Sequence, residues 1–301
     1  MSILAADIGG TKIALGRVDE AGALAGGVTL RDTPAREGGA AVLAALVAGI
    51  KELLDGGVQA IGVASAGIID PESGAVAGAT SSISEWVGTP LAATLRQAFG
   101  RPVSVVGDGI AFALGEGHFG AAQGANSAVV LAAGTGIGGG YLIHGRPLLG
   151  ERGGAGHFGH LPSPGAAGLT CPCGATGHLE AVASGPGLLA WYRSHGGGDA
   201  HSAREVAQRA ETDLLARRAV TEAGVALGAA AAGLANALDP EVVVVTGGLT
   251  GAGRLWREAV ESGYQQGLMR AMHGLQLVIS DPADWLSLRG AAAAAKEALS
   301  S

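Results

Sequence analysis

The sequence predicts an α/β protein built from two related halves. Short apolar stretches of strand length alternate with longer stretches of helical periodicity along the 301 residues. A strand, a turn of glycine and threonine and a second strand open the chain at residues 2–18, and the same order returns at residues 128–143. Because the two openings lie roughly one domain length apart, the simplest arrangement is two α/β halves, each able to bury its own core.

Periodicity and turn residues predict the elements in chain order. In the first half we predict strands at 2–7, 12–18, 60–65 and 103–106, a further strand after the turn at 19–22, and helices at 40–54, 90–99 and 110–115. In the second half we predict strands at 128–133, 138–143, 242–246 and 276–280, and helices up to residue 193 and at 203–210, 212–238, 255–269 and 286–299. The first three strands are predicted to form a β-meander.

Composition and charge argue against two classes of protein. The net charge is -7 and aromatic residues make up only 4% of the chain, whereas nucleic-acid binders usually carry a basic stripe and often aromatic residues for stacking. The first residues carry no cationic lead, and Asp7 with Gly9 and Gly10 interrupts the apolar run, so neither a signal peptide nor a membrane anchor is predicted. We therefore expect a cytoplasmic protein with no nucleic-acid or membrane partner.

Three glycine-rich turns lie where predicted strands end. The turn at 134–139 satisfies G-x-G-x-x-G, but a dinucleotide site needs a helix next, and the following segment is predicted to be a strand. The Walker A pattern does not occur, because none of the three lysines follows a glycine. The turns at 9–11 and 134–139 are therefore predicted to be hairpins whose backbone, without Cβ atoms, lets N–H groups approach phosphate oxygens, with a threonine hydroxyl as a further donor.

The predicted nucleotide site combines these turns with one carboxylate. Asp7 ends an otherwise apolar strand and is placed to hold Mg²⁺ or its water shell against a polyphosphate such as ATP. The turn at 247–248 follows an apolar strand, where ligands usually bind in α/β folds, and is expected near the nucleoside. The alternative is that the glycines only make tight hairpins. The predicted nucleotide-binding residues are Asp7, Gly9, Gly10, Thr11, Lys12, Gly134, Thr135, Gly136, Gly138, Gly247 and Gly248.

Six short motifs follow one another along the chain. They are DIGGTK at 7–12, GDG at 107–109, GTGIGGG at 134–140, AGHFGH at 155–160, CPCG at 171–174 with Glu180 after it, and TGG at 246–248. In this order they resemble the ROK family, which contains ATP-dependent sugar kinases and sugar-responsive repressors. The resemblance spans nearly the whole chain, and the motifs together are far more specific than any one of them.

The resemblance implies an actin-like ATPase fold, also described as ribonuclease H-like, with two α/β domains and an inter-domain cleft that holds ATP and a hexose. It implies an N-terminal domain over 1–116, a C-terminal domain over 117–285 that carries a zinc loop, and a last helix at about 286–301 that packs back on the N-terminal domain. Repressor members carry a winged helix ahead of the first strand, for which this chain is expected to have no room. Family members often form dimers or tetramers, so a homo-oligomer is expected.

The segment 156–180 carries both cysteines of the chain and three of its eight histidines. Two cysteines one residue apart cannot readily close a relaxed disulfide, and cysteine pairs in cytosolic chains more often bind metals. A structural Zn²⁺ site needs four soft or borderline ligands and leaves no position for a reactive water. The segment offers four, His160, Cys171, Cys173 and His178. Family members typically have one histidine and three cysteines here, so His178 stands in place of a cysteine. The alternative is a surface loop without a metal.

The resemblance assigns the catalytic role to Asp108, as the base that takes the proton of the attacking hydroxyl. This residue lies at a strand end with a glycine on each side. The alternative is an N-cap, since aspartate is common at helix starts. The sugar contacts that the resemblance implies are Gly67, Ser82, Asp108, His157, His160 and Glu180.

Position 157 bears on the choice of sugar. Family glucokinases usually have glutamate there, whereas this chain resembles the bacterial N-acetylmannosamine kinases in having His157. A carboxylate only accepts hydrogen bonds, whereas an imidazole can also donate one to an acetamide carbonyl. We therefore expect phosphorylation of the 6-hydroxyl of N-acetylmannosamine, a small-molecule sugar substrate, with glucose or another hexose as the alternative.

Departures from the family pattern keep other classes of protein open. Gly107 replaces an asparagine, Ile110 replaces a polar residue, and Ser82 is the nearest candidate for a usual sugar-binding asparagine. A non-catalytic, sugar-sensing regulator is therefore one alternative. A zinc hydrolase is another, and it predicts that removal of the metal abolishes turnover but leaves the fold intact.

Overall fold

The computed structural model describes residues 2–281 and 285–300 as an alternation of strands and helices. In chain order the elements are β1 (Ser2–Ile8), β2 (Lys12–Asp19), β3 (Leu24–Asp32), α1 (Gly39–Leu53), β4 (Val58–Ser65), β5 (Ile68–Ile69), β6 (Val76–Gly78), α2 (Leu91–Phe99), β7 (Val103–Gly107), α3 (Asp108–Phe119), β8 (Ser127–Ala133), β9 (Ile137–Ile143), β10 (Arg146–Pro147), α4 (Glu180–Ala183), α5 (Gly185–Ser194), α6 (Ala203–Arg209), α7 (Leu214–Leu238), β11 (Val242–Thr246), α8 (Arg254–Gly267), β12 (Gln276–Ile279) and α9 (Leu286–Ser300). Single 3₁₀ turns cover Phe158–His160, Pro164–Ala166, Gly248–Ala252 and Arg270–Met272.

The observed elements agree with those that periodicity predicts, and most ends differ by one or two residues. The largest difference is at α3, which continues to Phe119 although Gly115 and Gly117 lower its helix propensity. Packing against α9 holds this part of the helix, since Gly115 lies against the backbone of Leu286. Periodicity does not predict the ladder of β5 with β6, because strands of two or three residues carry too little of it.

Contacts divide the described residues into two compact units. The first contains residues 2–124, 145–156 and 285–300, and the second contains residues 125–144 and 157–281. Helix α9, from the end of the chain, belongs to the first unit, where it contacts α3, β1, β4 and β7. The predicted boundary of the two domains between residues 116 and 117 stays a prediction.

The first unit is built on a five-stranded sheet in the order β3-β2-β1-β4-β7. The first three strands form the predicted antiparallel meander, and β1, β4 and β7 run parallel. Ile8 pairs with Ser65, and Ser65 pairs with Gly107, so the carboxyl ends of the three parallel strands meet at one edge. Asp7 and Asp108 thus lie at the same edge of the sheet, although about a hundred residues separate them.

Apolar side chains bury both faces of this sheet. On one face Leu46 of α1, Leu95 of α2 and Trp86 belong to a cluster that includes the central strands. On the other face Leu288 and Ala292 of α9 pack with the small residues of β1 and β4. Because β1 and β4 are covered from both sides, the residues at their carboxyl ends stand on a densely packed base.

Helices α3 and α9 approach so closely that the crossing requires a glycine. A Cβ atom on Gly290 would overlap the carbonyl oxygen of Ala111 and would lie 2.8 Å from the amide nitrogen of Gly115. We expect Gly290→Ala to lower the free energy of unfolding by about 1–3 kcal/mol, because the cost of overpacking exceeds the gain of about 1 kcal/mol in helix propensity. Denaturant unfolding monitored by circular dichroism measures this change.

A second glycine offers a matched control for this substitution. Gly233 lies within α7, where no other element of the described chain comes within 4 Å of its Cβ position. Gly233→Ala is expected to stabilise the protein by about 0.4–1 kcal/mol, since only propensity and the entropy of the unfolded chain change. If Gly290→Ala stabilised the protein to the same extent, the close crossing of α3 and α9 would be refuted.

The second unit is built on a sheet in which β9, β8, β11 and β12 lie side by side in that order. Strands β8 and β9 form an antiparallel hairpin, whereas β8, β11 and β12 run parallel. Thr246, the last residue of β11, pairs with Ala132 near the end of β8. The turns that follow these two strands therefore lie next to each other at the carboxyl edge, the usual ligand side of a parallel sheet.

Helices α7 and α8 pack against each other and against this sheet. The buried cluster of the second unit joins Leu227 of α7 and Trp256 and Tyr264 of α8 to Val243 and Val245 of β11. At the start of α7 the side chain of the N-cap residue accepts two backbone N–H groups of the first turn. None of the helices in the described ranges combines the length and the hydrophobicity that a membrane crossing needs.

Candidate functional site

The first glycine turn connects β1 to β2 and is held from the side by Thr33. The N–H of Gly9 donates to the carbonyl oxygen of Lys12 at 3.0 Å, which closes the turn. The hydroxyl of Thr33 donates to the carbonyl oxygen of Gly9 at 2.8 Å. The backbone N–H of Thr33 donates to the carbonyl oxygen of Thr11 at 3.0 Å. Both contacts of Thr33 use carbonyl oxygens of the turn. They therefore do not occupy the N–H groups of the turn, which are the donors that a phosphate needs.

An open cavity of about 400 Å³ adjoins this turn, lined by Gly10, Thr11 and residues 32–37. The ammonium group of Lys12 forms an ion pair with Asp32 at its rim. Lys12 is therefore already engaged by a carboxylate, so an incoming phosphate has to compete with Asp32 for its charge. The sequence-predicted residues of this turn are thus brought together beside a space that can admit a ligand.

Asp7 lies one residue before the end of β1, beside the first glycine turn. Its Oδ2 accepts a hydrogen bond of 2.5 Å from the hydroxyl of Ser287, on the first turn of α9. Burial raises the pKa of Asp7 above its ordinary value, and the Ser287 hydrogen bond offsets part of that rise. A cation bound at the turn would act in the opposite sense to burial, because it would favour the charged form of Asp7.

Asp108 is the first residue of α3 and follows directly on β7. The N-cap position belongs to Gly107, and the side chain of Asp108 instead accepts the N–H of Gly109 at 2.7 Å. The side chain is exposed to solvent, whereas Ile110 is buried in the core. Asp108 therefore lies at the carboxyl edge of the sheet with a side chain exposed to solvent.

The remaining predicted residues of the first unit surround the same edge. Gly67 has a φ of 99°, and a Cβ atom there would lie 2.5 Å from the carbonyl oxygen of Gly78. Ser82 lies beside the first glycine turn, since a Cβ on Gly10 would be 3.4 Å from the Cβ of Ser82. Residues 79–81 and 83–87 of the same loop line an open cavity of about 430 Å³. The first unit thus presents the first glycine turn, the loop at 79–87 and Asp108 at the same edge of its sheet.

The second and third glycine turns meet at the carboxyl edge of the second sheet. The N–H of Gly134 donates to the carbonyl oxygen of Gly136 at 2.9 Å, and the N–H of Gly185 donates to that of Gly134 at 2.9 Å. Gly247 has a φ of 99°, and a Cβ on it would lie 2.5 Å from the carbonyl oxygen of Ala133. Gly247 therefore needs to be a glycine, and a Cβ on Gly134 would lie 4.0 Å from the N of Gly248, so the two turns place backbone groups of two strand ends side by side.

Glu180 links the second glycine turn to the cysteine-containing segment. It begins α4 and is buried, and its Oε2 accepts the N–H of Ile137 at 2.8 Å. Cβ atoms on Gly136 and Gly159 would lie 2.8 and 3.2 Å from the same oxygen. One carboxylate oxygen is thus committed to the backbone of the turn, which the sequence does not predict. His157 and His160 lie on the same segment, with nearly parallel rings 6.1 Å apart.

Four side chains of this segment form a cluster with the chemistry of a metal site. Their ligand atoms all lie within 4.8 Å of one another, and the residues are His160, Cys171, Cys173 and His178. The Sγ of Cys171 is 3.6 Å from the Nδ1 of His160, and the Sγ of Cys173 is 3.3 Å from the Nδ1 of His178. The structure therefore brings all four predicted ligands together, including the histidine in the usual cysteine position.

The local fold explains why these four groups converge. The N–H of Cys171 donates to Ala175 and the N–H of Gly174 donates back to Cys171, each at 2.8 Å, which forms a tight turn. An isolated bridge pairs Pro162 with His178 and closes the loop at its base. Burial raises the pKa of the Cys171 thiol to about 11, so without a metal this thiol holds its proton at neutral pH. A metal has to displace that proton, which makes its binding weaker as the pH falls.

The fold and these sites define an α/β protein of the actin-like ATPase class, with glycine turns at the ends of parallel strands. The chain belongs to the ROK family, whose model, described as "ROK family", matches residues 3–298. It is 31% identical over 319 aligned positions to a glucokinase of Thermotoga maritima, covering 99% of this chain and 98% of that one. It is 38% identical over 196 positions to an N-acetylmannosamine kinase of Citrobacter koseri, covering 63% and 64% of the two chains.

A solved structure shares the whole architecture. The glucokinase of Streptomyces griseus, determined in complex with glucose and AMPPNP, superposes with a TM-score of 0.85 at 29% identity. The alignment covers 99% of this chain and 100% of that one. The actin-like ATPase fold that the sequence motifs imply is thereby confirmed.

Proposed function

The chain is a sugar kinase of the ROK family, and we propose that it uses ATP to phosphorylate the 6-hydroxyl of N-acetylmannosamine. The observation that carries the proposal is the joint position of Asp108 and the first glycine turn at one edge of the first sheet. The register places the strand ends that precede them two strands apart, which corresponds to about 10 Å. A base and a phosphate-binding turn at that spacing suit transfer between a nucleotide and a sugar hydroxyl.

In this proposal the residues of the chain divide the work of phosphoryl transfer. Asp108 accepts the proton of the attacking hydroxyl, as its exposed carboxylate at a strand end allows. The N–H groups of Gly9 and Gly134 donate within their own turns, so other N–H groups of the glycine turns donate to phosphate oxygens. The turn at 247–248 lies near the nucleoside. Asp7 offers a carboxylate oxygen, which is the ligand that Mg²⁺ prefers. Bound Mg²⁺ neutralises charge on the transferring phosphoryl group.

The proposed sugar contacts are Gly67, Ser82, Asp108, His157, His160 and Glu180. His157 supports an N-acylated sugar, because an imidazole can donate to an acetamide carbonyl where a carboxylate cannot. The likeness to an N-acetylmannosamine kinase supports the same choice, whereas the likeness to glucokinases supports glucose as the second candidate. Glu180 has one oxygen engaged by Ile137, so it offers the other to a sugar hydroxyl.

A panel of sugars tests the proposal. With MgATP and a coupled assay for ADP release, kcat/KM for N-acetylmannosamine is expected to exceed that for glucose by at least about tenfold, as one well-placed hydrogen bond can give. His157→Glu is expected to reverse the order, because it removes the donor and restores the pair of acceptors. A preference of the unaltered protein for glucose would overturn the choice of sugar but not the kinase activity. Tight sugar binding with no turnover on any sugar would favour a regulator.

We further propose that His160, Cys171, Cys173 and His178 hold a structural Zn²⁺. The donor set fits, because two thiolates and two imidazoles make a closed tetrahedral site. Its task would be to fix the segment that presents His157 and Glu180. An assembly into dimers or tetramers and a cytoplasmic location remain predictions of the sequence.

A further inference from the structure

Helix α9 brings Ser287 to Asp7 from the far end of the chain. The two residues are 280 positions apart, and the Ser287 hydroxyl donates to Oδ2 of Asp7 at 2.5 Å. Ser287 is only 5% exposed, so water does not compete freely for this hydrogen bond. No motif contains Ser287, and its contact with Asp7 could not be predicted from either segment alone.

The first turn of α9 is fixed on both sides of Ser287. Before it, the carbonyl oxygen of Leu286 occupies the space that a side chain on Gly115 would need, and after it Gly290 lies against the backbone of Ala111. The Nε of Arg289 also donates to the carbonyl oxygen of Gly22 at 2.7 Å. These close backbone approaches and the Arg289 hydrogen bond hold the first turn of α9 in place, so the Ser287 hydroxyl has a defined position.

A hydrogen bond to one oxygen fixes the plane of a carboxylate. Asp7 can otherwise rotate about its side-chain bonds, and a rotated carboxylate presents its lone pairs in another direction. Partners of this kind hold metal ligands in place, and their loss typically lowers metal affinity by about 10- to 100-fold. Because Ser287 holds Oδ2, the other oxygen of Asp7 has a fixed orientation relative to the first glycine turn.

We propose that Ser287 is a positioning residue that orients Asp7 for the magnesium ion of a bound nucleotide. The proposal rests on the proposed function in one respect, the role of Asp7 toward magnesium. It assigns to the C-terminal helix a part in nucleotide binding, although that helix is remote in sequence from every glycine turn.

The test measures nucleotide binding rather than turnover. ADP binding is followed by isothermal titration calorimetry at a series of Mg²⁺ concentrations, with thermal denaturation on the same samples. Ser287→Ala is expected to raise the Mg²⁺ concentration for half-maximal binding by about tenfold. Binding of ADP without Mg²⁺ is expected to stay close to that of the unaltered protein. The melting temperature is expected to fall by a few degrees, because a buried hydrogen bond is lost. Ser194→Ala is the matched control, since it removes an exposed hydroxyl that donates to Trp191 on α5.

A double substitution shows whether Ser287 acts through Asp7. In the Asp7→Asn background, Ser287→Ala is expected to cause no further change in the Mg²⁺ requirement. Effects that multiply in the double variant, or a lowered melting temperature with an unchanged Mg²⁺ requirement, would overturn the proposal. Failure of the proposed function has a different signature, because the unaltered protein would then bind MgADP in the calorimeter but phosphorylate no sugar.

Discussion

Asp108→Asn is expected to lower kcat for sugar phosphorylation by about 100- to 10,000-fold, the range for loss of a general base. Asparagine keeps an oxygen that can accept the N–H of Gly109, so the start of α3 is preserved. The charge of Asp108 in the first turn of a helix contributes only about 0.3–1 kcal/mol to stability, so the fold is expected to survive. The coupled assay for ADP release gives kcat, and calorimetry gives the sugar affinity, which is expected to change little.

Asp213→Asn is the matched control for this substitution. Asp213 also stands at a helix start, where its side chain accepts two backbone N–H groups of α7, and asparagine caps helices about as well. Its activity is expected to equal that of the unaltered protein. If Asp108→Asn retained turnover within about threefold of normal, the carboxylate would be a structural group and the assignment of the base would be wrong.

Removal of the metal is expected to lower the melting temperature by about 10 °C. A site held at a thousandfold excess over its dissociation constant contributes about 4 kcal/mol to folding, and each kcal/mol corresponds to about 2–4 °C in a domain of this size. Elemental analysis should find one zinc per chain, and thermal denaturation before and after chelation measures the change. Added Zn²⁺ is expected to restore the original value if the proposed ion is structural.

Single substitutions assign the ligands of this site. Cys171→Ser and His178→Ala are expected to lose the metal, whereas His178→Cys is expected to keep it, because a thiolate is a better zinc ligand than an imidazole. His201→Ala removes an exposed histidine outside the cluster and is the control. Full zinc content in Cys171→Ser would remove that residue from the ligand set. If removal of the metal abolished turnover but left the melting temperature unchanged, the zinc hydrolase alternative would be favoured instead.

The metal cluster shows what local sequence can predict. All four candidate donors fall within residues 160–178, and the intervening glycines and prolines favour turns that fold the segment back on itself. The number of geometries open to so short a loop is small, so the residue types alone indicate the site. The same holds for the glycine turns at 9–11 and 134–136, where a short turn between two apolar strands predicts a hairpin.

The partners of these groups were beyond prediction. The link from Glu180 to Ile137 depends on how α4 meets the hairpin of β8 and β9. Glu180 is a proposed sugar contact and also accepts a hydrogen bond from the second glycine turn, and no feature of its own segment predicts this second role. Thr33 likewise contacts the first turn, but nothing in its own segment distinguishes it from any other threonine after a strand.

The sequence by itself determined the alternation of elements, the three glycine turns, the four metal donors and the position of Asp108 at a strand end, because each depends on contacts within a few residues. Only the tertiary structure decided that Ser287 meets Asp7, that Gly290 lies against Ala111 and that Glu180 holds Ile137. A hydroxyl in an alanine-rich helix looks like any polar residue until packing places that helix against β1. The physical reason is that such contacts follow from the burial of whole faces, and no short stretch of chain carries that information.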